Sequence, residues 1–167
     1  MRIAVFSATF AVLALAGAGA LGAQPSSKRS GGLPDPPKKD VPYLIHAASL
    51  LETETNNAKE ESRKDDQLFA IPGAASPVKT PLAGPEFLFR SEAIAPEKLQ
   101  LFKLESREGR REVVISHKKK QVAAPIRMSV VPVHNNVFRI RVDAELEAGE
   151  YALSPQDSNT VFCFAVQ

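Results

Sequence analysis

Three histidines and one cysteine are the side chains of this chain best suited to metal or nucleophile chemistry: His46, His117, His134 and Cys163. None of the histidines has the HxxxH or HxH spacing that brings two imidazoles to one face of a helix or strand. A shared site would need them to converge in space. A small-ligand or metal-binding protein, hydrolytic or not, with a site built from His46, His117 or His134 is therefore the alternative carried forward. Cys163 is followed by Phe164, Ala165, Val166 and Gln167. A sandwich copper site, which needs a His just beyond a late Cys, has no ligand there. There is no GxSxG turn for a serine nucleophile. The acids are many, but none is paired in apolar surroundings that would raise its pKa. With no Trp and two Tyr in the chain, aromatic platforms for a sugar are scarce. No catalytic, cofactor-binding or metal residue is assigned, and the reading is non-enzymatic.

Charge excludes another class. The chain has 21 basic and 19 acidic residues, a balance too near neutral for the basic footprint that nucleic acid requires. Two basic clusters do occur. Arg107, Arg110 and Arg111 surround a turn, and Lys118, Lys119 and Lys120 follow the next strand. Flanking one strand, they fall at its opposite ends, as solvated loop ends that protect strand edges. The lone Cys163 excludes an internal disulfide.

The elements that must position these groups begin with a leader. Met1-Arg2 is a basic start, Ile3 to Ala16 is uncharged and apolar, and small residues follow in "GAGALGAQ". That is the layout of a secretory signal peptide over residues 1–23, expected to be cleaved between Ala23 and Gln24. Export to the periplasm of a Gram-negative bacterium, or secretion, follows, with no stable membrane anchor after cleavage. Retention of the same stretch as an anchor is the rival reading. Residues 24–42 hold five prolines, three serines and two adjacent glycines. A segment with so little to bury is expected to be a disordered linker. A β-domain is expected over residues 43–167.

Residues 43–72 read two ways. Leu44, Ala47, Ala48 and Leu51 fit helical spacing, and Glu60/Lys64 form an i,i+4 pair. A helix over 57–66 would be polar all round, which is seldom stable. The alternative, preferred here, is a long hairpin with arms at 43–53 and 67–71 and an exposed polar tip. Prolines 77, 81 and 85 then exclude a helix. Beyond them come short runs at regular intervals, at 86–90, 98–105, 111–117, 126–133, 137–142, 150–154 and 160–166. Many alternate: Phe138, Ile140 and Val142 face one way, Arg139 and Arg141 the other. Arg107–Arg110 and His134–Asn136 read as hairpin turns. Short strands separated by turns every 8–12 residues predict an antiparallel β-sandwich. Its last strand is apolar on both faces, Phe162, Phe164 and Val166 against Val161, Cys163 and Ala165. Such a strand must be covered on both sides, by residues 43–72 or by a partner.

"LEAGEYALSP", residues 146–155, lies between two of these runs. Its Glu147, Gly149 and Tyr151 resemble the acid-x-Gly-x-Tyr run that opens the penultimate strand of immunoglobulin-like sandwiches, with Leu153 in place of the disulfide Cys. The resemblance covers residues 85–167. It implies a tyrosine corner, with the Tyr151 hydroxyl bonded back to the chain. Leu146, Gly149 and Tyr151 are thus structural residues, Gly149 permitting a bend; the competing role for Tyr151 is acid/base or ligand contact. "YLIHAASLLETE", "SPVKTPL", "KLQLFKL" and "GEYAL…VFCFAV" also resemble uncharacterised exported bacterial β-sandwich proteins. That likeness implies a fold and a compartment. An interaction or structural module of the envelope, with an envelope protein as its partner, is the functional expectation.

Overall fold

The computed structural model describes residues 32–63, 66–116 and 123–167. The expected leader, its Ala23/Gln24 cleavage site and the first part of the linker lie outside these residues, as do His117 and Lys118–Lys120. Residues 32–167 form one compact unit. Among the described residues there is no α-helix, and thirteen strands form. They are β1 (Pro42–His46), β2 (Ser49–Glu52), β3 (Glu54–Asn57), β4 (Lys59–Arg63), β5 (Asp66–Pro72), β6 (Lys79–Thr80), β7 (Glu86–Arg90), β8 (Leu99–Arg107), β9 (Arg110–Ser116), β10 (Met128–His134), β11 (Val137–Val142), β12 (Gly149–Pro155) and β13 (Thr160–Val166).

Two sheets result. Sheet I runs β10-β11-β7-β1-β2, and sheet II runs β3-β13-β12-β8-β9-β5-β4, with β6 added in parallel to β13. Between them lies a core of Leu44, Phe87, Phe89 and Ile140 from sheet I and Leu99, Leu101, Tyr151, Leu153, Phe162, Phe164 and Val166 from sheet II. Phe87 meets Phe164 edge-on at 5.1 Å between centroids, a geometry the ring quadrupoles favour. The turns at 108–109 and 135–136 have positive φ at both central residues, as a two-residue hairpin connection requires. Gly109, at φ 79°, takes that conformation without a Cβ penalty.

Sheet II has an unusual ending. Its two outermost strands, β3 and β4, are separated in sequence only by Ala58. One continuous stretch therefore pairs with β13 through its first half and with β5 through its second. The sheet closes on itself as a small barrel, and the Ala58 amide bonds Asn159 O at 2.7 Å across the seam. Joining its two ends in one stretch of chain shortens the edges that this sheet would otherwise present. A second cluster of buried residues lines the barrel: Ala58, Ile71, Phe102, Leu104, Val113, Ala152, Val161 and Cys163.

Several expectations change. Residues 43–53 and 67–71 are not partners: β1 and β2 pair with each other in sheet I, while β5 pairs with β4 and β9 in sheet II. The turn between β1 and β2 escapes notice because Ala47 takes φ 51°, a left-handed value alanine seldom adopts. The polar stretch is strand rather than helix, since β4 completes a barrel wall. Disorder does not extend over the last part of the linker. Asp40 accepts the amides of Glu92, Ala93 and Ile94 at 2.8–3.2 Å, Arg90 reaches Pro37 O at 2.6 Å, and Pro36 is buried. These polar anchors offset the ordering cost that the composition alone could not.

Arg111 also departs from its expected place. It is not a solvated loop end; its side chain is 0 % exposed. Its guanidinium grips Glu54 of β3 in two bonds, 2.8 and 3.0 Å, and donates to Pro72 O and Gly73 O at 2.9 and 3.0 Å. Burial alone would raise the Glu54 carboxyl, but bonds from Arg111, Asn56 and Ser76 together hold it below its ordinary value. A carboxyl depressed in the folded state stabilises fully above the ordinary carboxylate range, and that stability is lost as pH falls through the folded value. Glu54→Leu, which strands the guanidinium, is expected to cost about 3–5 kcal/mol in urea unfolding. The variant should also lose less of its remaining stability between pH 6 and about pH 3 than the parent does.

Candidate functional site

The barrel is closed at one end and open at the other. At the closed end Arg111 joins β9 to β3 and to the end of β5, and Glu150 of β12 lies 3.6 Å away. Ser76 seals the same end through bonds to Glu150 and to Cys163 O. Toward the other end a cavity of about 460 Å³ opens beside the β12–β13 turn. This size falls within the range of small-molecule sites.

The strand period builds its lining. Side chains two residues apart point the same way, and each wall turns polar toward the mouth: Ala58 to Glu60, Phe69 to Gln67, Phe102 to Gln100, Ala152 to Ser154, Val161 to Asn159. Leu104, Ile71 and Val113 complete the apolar part, and Asp157 and Ser158 stand on the turn at the rim. On β8 the same period sends Leu99 and Leu101 into the sandwich core and Phe102 and Leu104 into the barrel. The site can hold an apolar body in its depth and hydrogen-bond a polar end at its mouth.

The residues singled out in the sequence lie elsewhere. His134 Nε2 is 3.1 Å from Asp35 on the exposed surface. His46 ends β1 and is exposed. Val137 pairs with Arg90 and Pro42 with Phe89, so His134 lies at the Pro42 end of sheet I and His46 at the other. The structure does not bring these two together. Among the described residues no group of three His, Cys, Asp or Glu is placed to hold a metal. Arg107 and Arg110 pair with Glu105, Glu61 and Glu112.

Tyr151 is in the sandwich core, stacked on Phe164 at 5.6 Å. Its hydroxyl donates to Glu147 O at 2.8 Å. Leu146 is buried beside it and its amide donates to Ala83 O at 2.7 Å. Gly149 opens β12 at φ 158°, a backbone angle that residues with a Cβ rarely adopt. A Cβ there would meet Lys103 Cε at an ordinary 3.5 Å, so the backbone angle rather than the space favours glycine. Cys163 is a free buried thiol beneath the cavity walls. Burial pushes it up to about 12, with the Arg111 charge offsetting this only in part.

Sequence reasoning did not name the cavity residues, although the two-faced last strand carried the signal. Val161 and Cys163 have to face a second core, and β3, β4 and β5 supply its far wall. The chain matches no protein-family model, no curated protein and no solved structure.

Two measurements check this assignment. The Cys163 thiol should react with an aromatic disulfide reagent at least a hundredfold more slowly in the native protein than in urea, because the thiolate is the nucleophile and is disfavoured by burial. Tyr151→Phe should cost about 1 kcal/mol, the net value of one such hydrogen bond, in denaturant unfolding and leave the barrel cavity intact.

Proposed function

We propose that this protein is an exported, non-catalytic binding module of the periplasm or cell envelope, built on an immunoglobulin-like sandwich. The observation that carries the reading is the barrel cavity, apolar in its depth and polar at its mouth, above an interior whose titratable groups serve the scaffold. Arg111 and Glu54 are spent on each other, and Cys163 is held as a thiol. A pocket of this kind is suited to holding a molecule, and its polar rim to orienting it.

The immunoglobulin-like reading rests on strand order. β1, β7, β11 and β10 neighbour one another as strands A, B, E and D do, and β13, β12 and β8 as G, F and C. The bond from Tyr151 to Glu147 O supports it as well. Export rests on the leader-like N-terminus. Interaction with an envelope protein would use sheet I, whose outer strands β10 and β2 keep an unpaired side among the described residues. β10 also exposes Val131 and Val133, and strand addition is the mode such an edge allows.

Expressed with its leader in a Gram-negative host, the protein should be recovered from the periplasm with Gln24 as its first residue. A chain that keeps Arg2 and stays in the cytoplasm overturns the export reading. A photo-cross-linking residue at position 133 should give a discrete adduct in the cells that encode the protein, and one at the exposed position 114, on the barrel wall, should not.

A further inference from the structure

We infer that the barrel cavity binds a small amphiphile with a cationic head group: an aliphatic body in the apolar depth and a positive end at the mouth. This rests on the binding reading proposed above and narrows it to a chemical class. The depth of the cavity offers aliphatic and phenyl surface only, from Phe102, Leu104 and Val113 on one side and Ala152 and Val161 on the other. An alkyl chain buried there gains roughly 0.8 kcal/mol for each methylene taken out of water.

The rim decides the head. Two carboxylates line it, Glu60 on β4 and Asp157 on the β12–β13 turn, and the other polar side chains there are uncharged. Among the described residues the lining contains no Lys or Arg. Arg111 is at the opposite end and already holds Glu54 in two bonds. A carboxylate head at the mouth would therefore meet two like charges, and an ammonium would meet two of opposite sign. The carboxylates are exposed, so solvent screening keeps the preference modest. The apolar body supplies the affinity and the rim supplies the selection.

The test uses purified full-length protein and three probes of one chain length: dodecylamine, dodecanol and dodecanoate. Each is titrated below its aggregation limit against Nile red bound to the protein. Dodecylamine should displace the dye about five- to tenfold more tightly than dodecanoate, with dodecanol between them, and the difference should shrink in high salt. The double variant Glu60→Lys/Asp157→Lys, at surface positions that leave the core untouched, should reverse the order. Ala152→Phe, which fills the cavity, should abolish all three affinities while the far-ultraviolet circular dichroism is retained. If that variant fails to fold, the charge-reversal variant alone decides. Equal affinities for all three probes, or an order unmoved by charge reversal, would overturn the head-group assignment and leave the cavity as a binding site. Failure of every probe and of Nile red itself would sink the binding reading as well.

Discussion

The Arg111–Glu54 pair is the constraint on which the second half of this architecture depends. A sheet becomes a barrel only if its first and last strands meet. Here they are parts of one stretch of chain, interrupted by Ala58. That stretch must leave β13 and cross to β5 within a few residues. A guanidinium suits the crossing because its rigid fork can satisfy a carboxylate bidentately and still donate to two carbonyls; an ammonium has no such plane. Arg111 does both, reaching Glu54 on the crossing strand and the backbone at the end of β5. The desolvation of a buried charge is severe, and it is offset here by bonds that only a closed barrel supplies together.

The closed barrel and the open sheet I share one wall. β8, β12 and β13 each send alternate side chains into the sandwich core and into the barrel. Tyr151 and Leu153 therefore pack against sheet I while Ala152, between them, lines the cavity. This gives the cavity a rigid wall. Its strands are held on their reverse side by the phenylalanine cluster, and by the Tyr151 hydroxyl where the chain enters β12. A binding site on such elements keeps its shape better than one on loops. The rim differs, since the β12–β13 turn contributes Asp157 at φ 61° along with Ser158 and Asn159.

Much of sheet I and of the shared wall was legible in the sequence. The strands at 86–90, 137–142 and 160–166 form with those same bounds, because period-two alternation with one apolar face admits few other structures. Phe87 and Phe89, and Phe162, Phe164 and Val166, share the core as their spacing implied. Residues 43–72 were harder. The β1–β2 turn lacks Gly, Asn or Pro, and β4 has a polar sequence that owes its strand conformation to pairing with β5 rather than to burial. The site was legible only in outline. Two apolar faces on β13 required a second cover, and the nature of that cover, a closed wall with a hollow behind it, was not written in any local pattern.

By itself the sequence determined the local things: strand positions, hairpin turns with the residues that tolerate left-handed backbone, a tyrosine placed to bond its own upstream chain, and an absence of spaced metal or nucleophile motifs. These depend on neighbours a few residues apart, where sterics and periodicity act directly. Tertiary structure decided the rest. Whether Arg111 is solvated or buried, whether β3 and β4 end a sheet or close it, and whether Ala58, Phe102 and Val161 meet around an empty space all depend on contacts between residues far apart in the chain. Their energies cancel against chain entropy to within a small margin, so only the assembled fold settles which contacts form.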